Sequence, residues 1–186
     1  MKVIVSGLTA SGKSSVSKAL AKEFNLEYFS ASSKLREILP KKDFEVWESK
    51  KGIEAVKFRI KNPIYDKKLD RIMLSLFNRS FNMILDSWVA SWKVTDTNII
   101  KIYIKADEKI RAERVSNRDG ITFKQALSFM RIKDKLTAQI YSNIYGIDVK
   151  KDFRPFNLVI DSSYLDLKEV IKICSYFILK CKKAKF

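Results

Sequence analysis

Short apolar runs punctuate the chain: KVIVSG at Lys2–Gly7, LEYFS at Leu26–Ser30, FNMILD at Phe81–Asp86, IIKIYIKA at Ile99–Ala106 and FNLVID at Phe156–Asp161. The most continuous of them have the β-branched character of strands buried on both faces, as a parallel sheet requires. Between the runs, apolar positions fall three and four apart; Val16, Ala19, Leu20 and Phe24 mark a helix over Lys13–Phe24. The alternation predicts an α/β domain built on a parallel sheet with right-handed crossovers.

Two intervals exceed what a crossover needs. From Arg36 to Arg79 the sequence is polar and helix-prone, broken at Pro40, Gly52 and Asn62-Pro63, which predicts a small helical insertion on the C-terminal edge of the sheet. From Arg111 to Gly146 runs a second, mostly helical excursion. Two such excursions beside the ligand edge could close over a ligand.

Composition narrows the picture. The 186 residues, 46% of them hydrophobic, suit a single domain over 1–186, one that buries roughly 70% of its unfolded surface. The net charge of +16 suits a phosphate-rich ligand, a nucleic acid or an acidic membrane face. Much of it lies in lysine doublets such as Lys41-Lys42, Lys67-Lys68 and Lys150-Lys151, the pattern of a solvated surface rather than of an RNA groove. There is no histidine, so imidazole chemistry is excluded and catalysis must rest on lysine, arginine, carboxylates and a bound ion. Cys174 and Cys181 fall on one helical face, about 10 Å apart by helix rise and beyond disulfide reach. Met1-Lys2 runs straight into the first strand, and no apolar run approaches a membrane span. A soluble, cytoplasmic monomer is expected, with Lys180–Phe186 fraying as a tail.

Gly7-Leu8-Thr9-Ala10-Ser11-Gly12-Lys13-Ser14 fits G-x-x-x-x-G-K-[ST] between an apolar strand and an amphipathic helix, the context in which that pattern holds a polyphosphate. Backbone N–H groups from Ala10 to Ser14 would wrap the β-phosphate at the helix N-terminus, Lys13 would bridge the β- and γ-phosphates, and Ser14 would ligate Mg²⁺. Asp86 ends an apolar strand, the place for a carboxylate that holds the ion's water. Arg111, Arg114 and Arg118 share one helical face, where mutual repulsion of a few tenths of a kcal/mol per pair favours a nearby anion.

These residues, with FSASSKLREI (Phe29–Ile38), RAERVSNRDGIT (Arg111–Thr122) and IYGIDV before FNLVIDSS, resemble the archaeal-type cytidylate kinases within the P-loop nucleoside monophosphate kinases, over nearly the whole chain. The resemblance implies a five-stranded parallel sheet, a monophosphate-binding insertion at about 31–80 and a lid at about 115–140. It implies transfer of the ATP γ-phosphate to CMP or dCMP, with ATP and Mg²⁺ as cofactors and nucleotides, not membranes or nucleic acid, as partners. Gly7, Ala10, Ser11, Gly12, Lys13, Ser14 and Ser15 correspond to the donor-phosphate loop, with Ser14 and Asp86 toward the metal. Arg118 and Ser162 belong beside the donor base, together with Asp161 and Ser163. Ser30, Arg36, Asp66 and Asp70 fall in the acceptor segment, Arg36 on the α-phosphate, while Lys13, Arg114, Arg131 and Lys133 would act on the transferring group.

Departures from the pattern qualify the acceptor. Asp86-Ser87-Trp88 lacks the basic group that follows the acid in the family, and Trp88 offers a stacking face instead. Lys133 and Ile140 stand where the lid has arginines; Arg131 and Lys135, four apart, are candidates to compensate. A P-loop ATP-binding protein with weak or no transferase activity, or a kinase or ATPase with another acceptor or an RNA partner, is the alternative reading.

Overall fold

The computed structural model describes residues 1–40 and 49–184. Its elements, in chain order, are β1 (Lys2–Ser6), α1 (Lys13–Glu23), β2 (Glu27–Ser30), α2 (Ala31–Ile38), α3 (Ser49–Lys61), α4 (Ile64–Arg79), β3 (Met83–Asp86), α5 (Ala90–Lys93), β4 (Ile100–Lys105), α6 (Glu108–Asp119), α7 (Phe123–Tyr145), β5 (Leu158–Asp161) and α8 (Leu167–Ala184). The strands form one parallel sheet in the order β2-β3-β1-β4-β5. Each expected strand is present, trimmed at its ends; Phe81, placed in the third, is solvent-exposed ahead of Met83.

Side chains that alternate across the sheet divide between two cores. Val3, Val5, Ile84, Ile102 and Ile104 pack under α1 and α8 with Val16, Leu20, Val170, Cys174 and Ile178. Ile4, Met83 and Leu85 pack on the opposite face against Leu35, Leu69, Met73 and Phe77 of the helical insertion. Both faces of the central strands β1, β3 and β4 are therefore covered, which is why those strands are near-continuously buried, whereas the edge strands β2 and β5 are partly exposed. Parallel pairing brings all the strand C-termini to one edge, and the register sets Ser30 and Val5 on either side of Asp86.

The insertion begins with α2, which Ser30 caps by accepting from the Ser33 backbone N–H at 3.3 Å. Asn62-Pro63 separates α3 from α4 as expected, whereas Gly52 lies inside α3 rather than breaking it. The helix packs along α7, and tertiary burial outweighs the ~1 kcal/mol propensity cost of an internal glycine. The second excursion is the α6–α7 hairpin, turned at Gly120 (φ 64°) and restarted by a capping box from Thr122 to Gln125. Of the expected C-terminal fray, residues 180–184 are instead the end of α8, where Phe177 and Cys181 pack on the core, and Lys185 and Phe186 lie outside the described residues. Cys174 and Cys181 are free thiols. The doublet Lys41-Lys42 lies outside the described residues. Among the described residues no helix is long and apolar enough to cross a membrane.

Candidate active site

The C-terminal edge of the sheet opens into a cleft of about 790 Å³. One wall is the Gly7–Ser14 loop. Ala10 (φ 57°) and Gly12 (φ 98°) both adopt left-handed backbone, the kind of turn that makes successive N–H groups converge on an anion. Gly12 is the N-cap of α1 with no side-chain cap, and the first turn carries no carboxylate to compete for its donors. At Gly7 a Cβ would stand 2.3 Å from the Ile104 carbonyl oxygen, so only glycine lets the loop leave β1 beside β4. The Ser11 hydroxyl is buried without a hydrogen-bond partner. A polyphosphate fits this cradle.

The loop is held from outside by two arginines. Arg111, buried, donates to the Thr9 carbonyl at 2.9 Å and to Asp134 at 2.6 Å, and Asp134 in turn accepts from the Thr9 N–H. Arg114 donates to the Ala10 and Ser11 carbonyls and to Ser162, whose own hydroxyl reaches the Ser11 and Lys105 carbonyls. Burial and the neighbouring Arg111 lower the Arg114 pKa. Sequence placed three arginines on one face facing an anion; Arg111 is committed to the loop backbone, Arg114 both braces the loop and lines the cleft, and Arg118 lines the cleft. Ser162, expected beside a base, is buried beneath the loop.

On the cleft floor Lys13 Nζ lies 3.5 Å from Asp86. The second carboxylate oxygen accepts from the Tyr28 hydroxyl at 3.1 Å, and burial together with Asp86 pushes the Tyr28 pKa up to about 12, so Tyr28 remains a donor. A hydroxyl and one carboxylate beside a phosphate cradle fit the way Mg²⁺ is usually held, by few protein groups plus substrate oxygens and water. Ser14 and Asp86 are the residues in place for it.

Lys133 projects from α7 into the cleft. Burial, then the positive charges of Lys13 and Arg118, depress its pKa to about 8, against the opposing effect of Asp134. The repulsion falls on Lys133, because Lys13 is paired with Asp86 and Arg118 with Asp119.

The same cleft is also lined by Ala31, Ser32, Leu35 and Arg36 of α2, Leu69 of α4, Ser87 and Trp88 after β3, and Thr137 and Tyr141 of α7. Arg36, exposed, donates to the Ser33 hydroxyl at 3.0 Å. The rings of Trp88 and Tyr141 are 6.5 Å apart. Asp66 and Asp70, expected beside an acceptor, are turned into the helix packing. Asp66 accepts two hydrogen bonds from Arg59, at 2.6 and 3.1 Å, and Asp70 is held by Lys93 at 2.8 Å and by the Tyr145 hydroxyl. Their carboxylates are consumed in fastening α3, α4, α5 and α7 together. Ser30 caps α2 at the cleft's margin. Arg131 is exposed and paired with Glu108 at 2.6 Å, away from the cleft lining, and Lys135 is likewise exposed. Ile140 is core, packed with Val56, Val89, Tyr141 and Val149, so it leaves no gap in the cleft's charge.

Arg59, Thr137, Tyr141 and Tyr28 escaped the sequence reading. Arg59 is 3% exposed yet lines the cleft; burial opposes its charge, but Asp66 and Tyr141 more than offset this and raise its pKa. An arginine and an aspartate flanking the Asn62-Pro63 break were the available signal.

Sheet order, glycine loop and converging cations define a small P-loop kinase. Shikimate kinase from Bacteroides thetaiotaomicron shares the fold, with a TM-score of 0.59 at 9% identity over 96% of this chain and 98% of its own. The chain is 34% identical over 171 residues to cytidylate kinase from Pyrobaculum islandicum, covering 92% of this chain and 89% of that protein. It is 33% identical over 178 residues to the cytidylate kinase of Sulfurisphaera tokodaii, covering 96% and 95%. The sequence profile of the cytidylate kinase-like family matches residues 3–164, and the chain belongs to that family. It is thereby an enzyme of the nucleoside monophosphate kinase class.

Proposed function

We propose that the protein transfers the γ-phosphoryl group of ATP to CMP or dCMP, giving the corresponding diphosphate. The observation that carries this reading is the single cleft that joins the uncapped Gly7–Ser14 loop at one end to Arg36 and the Trp88–Tyr141 faces at the other, with Lys13, Arg118 and Lys133 between. The relatives named cytidylate kinase supply the choice of base.

Phosphoryl transfer needs in-line placement and charge stabilisation more than acid–base groups, which suits a chain without histidine. The loop's N–H groups and Lys13 hold the donor's β- and γ-phosphates. Arg36 holds the acceptor phosphate, and Lys133 and Arg118 face the charge that spreads over the transferring oxygens. Ser14 and Asp86 would hold Mg²⁺, which when bound supplies charge neutralisation on the donor phosphates. Arg111 and Arg114 act through the loop, by fixing its carbonyls so that its N–H groups point inward. Trp88 contributes a stacking face on the acceptor side.

Arg36→Ala is expected to raise the acceptor KM by about 10- to 100-fold, the cost of a lost charge-assisted contact, with the ATP KM changed less than about twofold. Initial-rate measurements with each substrate varied in turn check it. Equal increases in both constants would contradict the placement of Arg36 on the acceptor.

A further inference from the structure

The helix α8 has a second face that the core does not use. Val170, Cys174 and Ile178 are buried against the sheet, while Ile173, Tyr176 and Leu179, three residues apart, are 40%, 64% and 46% exposed. Around them stand the exposed Lys172, Lys180, Lys182 and Lys183, and the Lys180 ammonium lies 5.2 Å from the centre of the Tyr176 ring. Five lysines against one carboxylate, Glu169 in the first turn, put a quarter of the chain's net charge of +16 on this helix. Its last turn reaches the N-terminal ends of the strands. There burial, then the charge of Lys182, lowers the pKa of the Met1 amino group, whose nitrogen donates to the Phe81 carbonyl at 2.8 Å. Phe81 itself is 88% exposed. On the α1 side Lys18 and Lys22 add exposed charge, with Glu23, which accepts from Ser175 at 2.7 Å, at the margin.

We infer that the outer face of α8, with Phe81 at its end, is a peripheral docking surface for an anionic lipid bilayer, a partner that the family resemblance does not imply. Apolar side chains set among lysines match a surface that is negative at its headgroups and hydrocarbon beneath. A second copy of the face would meet it lysine to lysine and be repelled. RNA bases could stack on Tyr176, but they have no use for the aliphatic Ile173 and Leu179, and α8 carries no arginine to fork onto a phosphate. The lysines adsorb to the headgroups, and Tyr176, Leu179 and Phe81 enter the interface between them. Met1 and Phe81 precede β1 and β3, so the cleft, at the C-terminal edge of the sheet, lies at the opposite end and stays open to nucleotides.

The test mixes the full chain with vesicles of phosphatidylcholine and phosphatidylglycerol, or of phosphatidylcholine alone, and measures the fraction of protein that sediments with lipid. Binding to the anionic vesicles alone is expected, weakened at least about tenfold when salt rises from about 0.1 M to about 0.5 M. Lys172→Gln, Lys180→Gln and Lys183→Gln combined should lower the partition by about 100-fold, and Tyr176→Ser with Leu179→Ser by about tenfold, in each case with the fold intact by thermal melt. No binding to anionic vesicles, equal binding to both kinds, or binding that the lysine variant leaves unchanged would overturn the proposal. Vesicle binding abolished by millimolar Mg-ATP would overturn it too, by placing the headgroups in the cleft. Capture of single-stranded RNA instead of vesicles would make the face a nucleic-acid surface, and a dimer in light scattering instead of vesicle binding would make it a contact between copies; either result contradicts the bilayer assignment.

Discussion

Lys13→Met is expected to reduce phosphoryl transfer by about 10³-fold, the upper range for removing one preorganised positive donor from a water-poor site. The Lys13 ammonium lines the cleft beside Asp86, where the proposed mechanism brings together charge from the leaving β-phosphate and the moving γ-phosphoryl. The fold is expected to survive. Asp86 retains the Tyr28 hydroxyl, and the loop retains its outer braces, Arg111 on Thr9 and Arg114 on Ala10 and Ser11. The drop should appear mainly in kcat, because the loop N–H groups still bind the donor phosphates. Steady-state kinetics beside a thermal melt separate the two effects. A residual rate within about tenfold of wild type would show that Lys13 does not face the reacting group.

Lys133→Met is expected to move stability and activity in opposite directions. The Lys133 ammonium is desolvated and repelled by Lys13 and Arg118, so in the folded, ligand-free protein its charged form is disfavoured and its pKa falls to about 8. In the unfolded chain the group titrates at an ordinary lysine value near 10.4. Below pH 8 both states carry the proton and the folded state bears the whole penalty; between about 8 and 10.4 the folded state sheds the proton first, and the penalty fades as pH rises. The substitution should therefore stabilise the empty protein at pH 7 by on the order of 2 kcal/mol, with the gain vanishing by about pH 10.4. It should also cut kcat by about 100-fold, because in the proposed mechanism the transferring phosphoryl meets the same charge. Chemical denaturation at pH 7 and pH 10 checks the first part and single-turnover transfer the second. Destabilisation at pH 7 would contradict the description of Lys133 as a strained cation.

The central strands β1, β3 and β4 were the most readable because they are buried on both faces, and strand ends shifted only by a residue or two, as at Phe81. The loop was readable because its chemistry is local: glycine where a Cβ would strike Ile104, lysine and serine next to the helix start. What sequence obscured was long-range pairing. Arg111 matched Arg114 and Arg118 in helical phase, yet Asp134, brought over by the α6–α7 hairpin, turns it toward the loop backbone. Asp66 and Asp70 lay in the acceptor insertion, but the partners that consume them, Arg59, Lys93 and Tyr145, come from three other helices. Ile140 suggested a missing lid charge. The fold buries that position, while Arg59 reaches the cleft from α3. An arginine at 140 would thus be driven into the packing among Val56, Val89 and Val149 rather than into the cleft.

The central claim is tested most directly by incubating the purified chain with Mg-ATP and, separately, CMP, dCMP, UMP, AMP and GMP, and resolving the nucleoside diphosphates formed. The account predicts ADP and CDP or dCDP in equal amounts, at turnover on the order of 1 to 100 per second, with the other acceptors at least about tenfold slower. Formation of ADP without any second diphosphate, or no phosphorylation of any acceptor by a folded, ATP-binding protein, would contradict it.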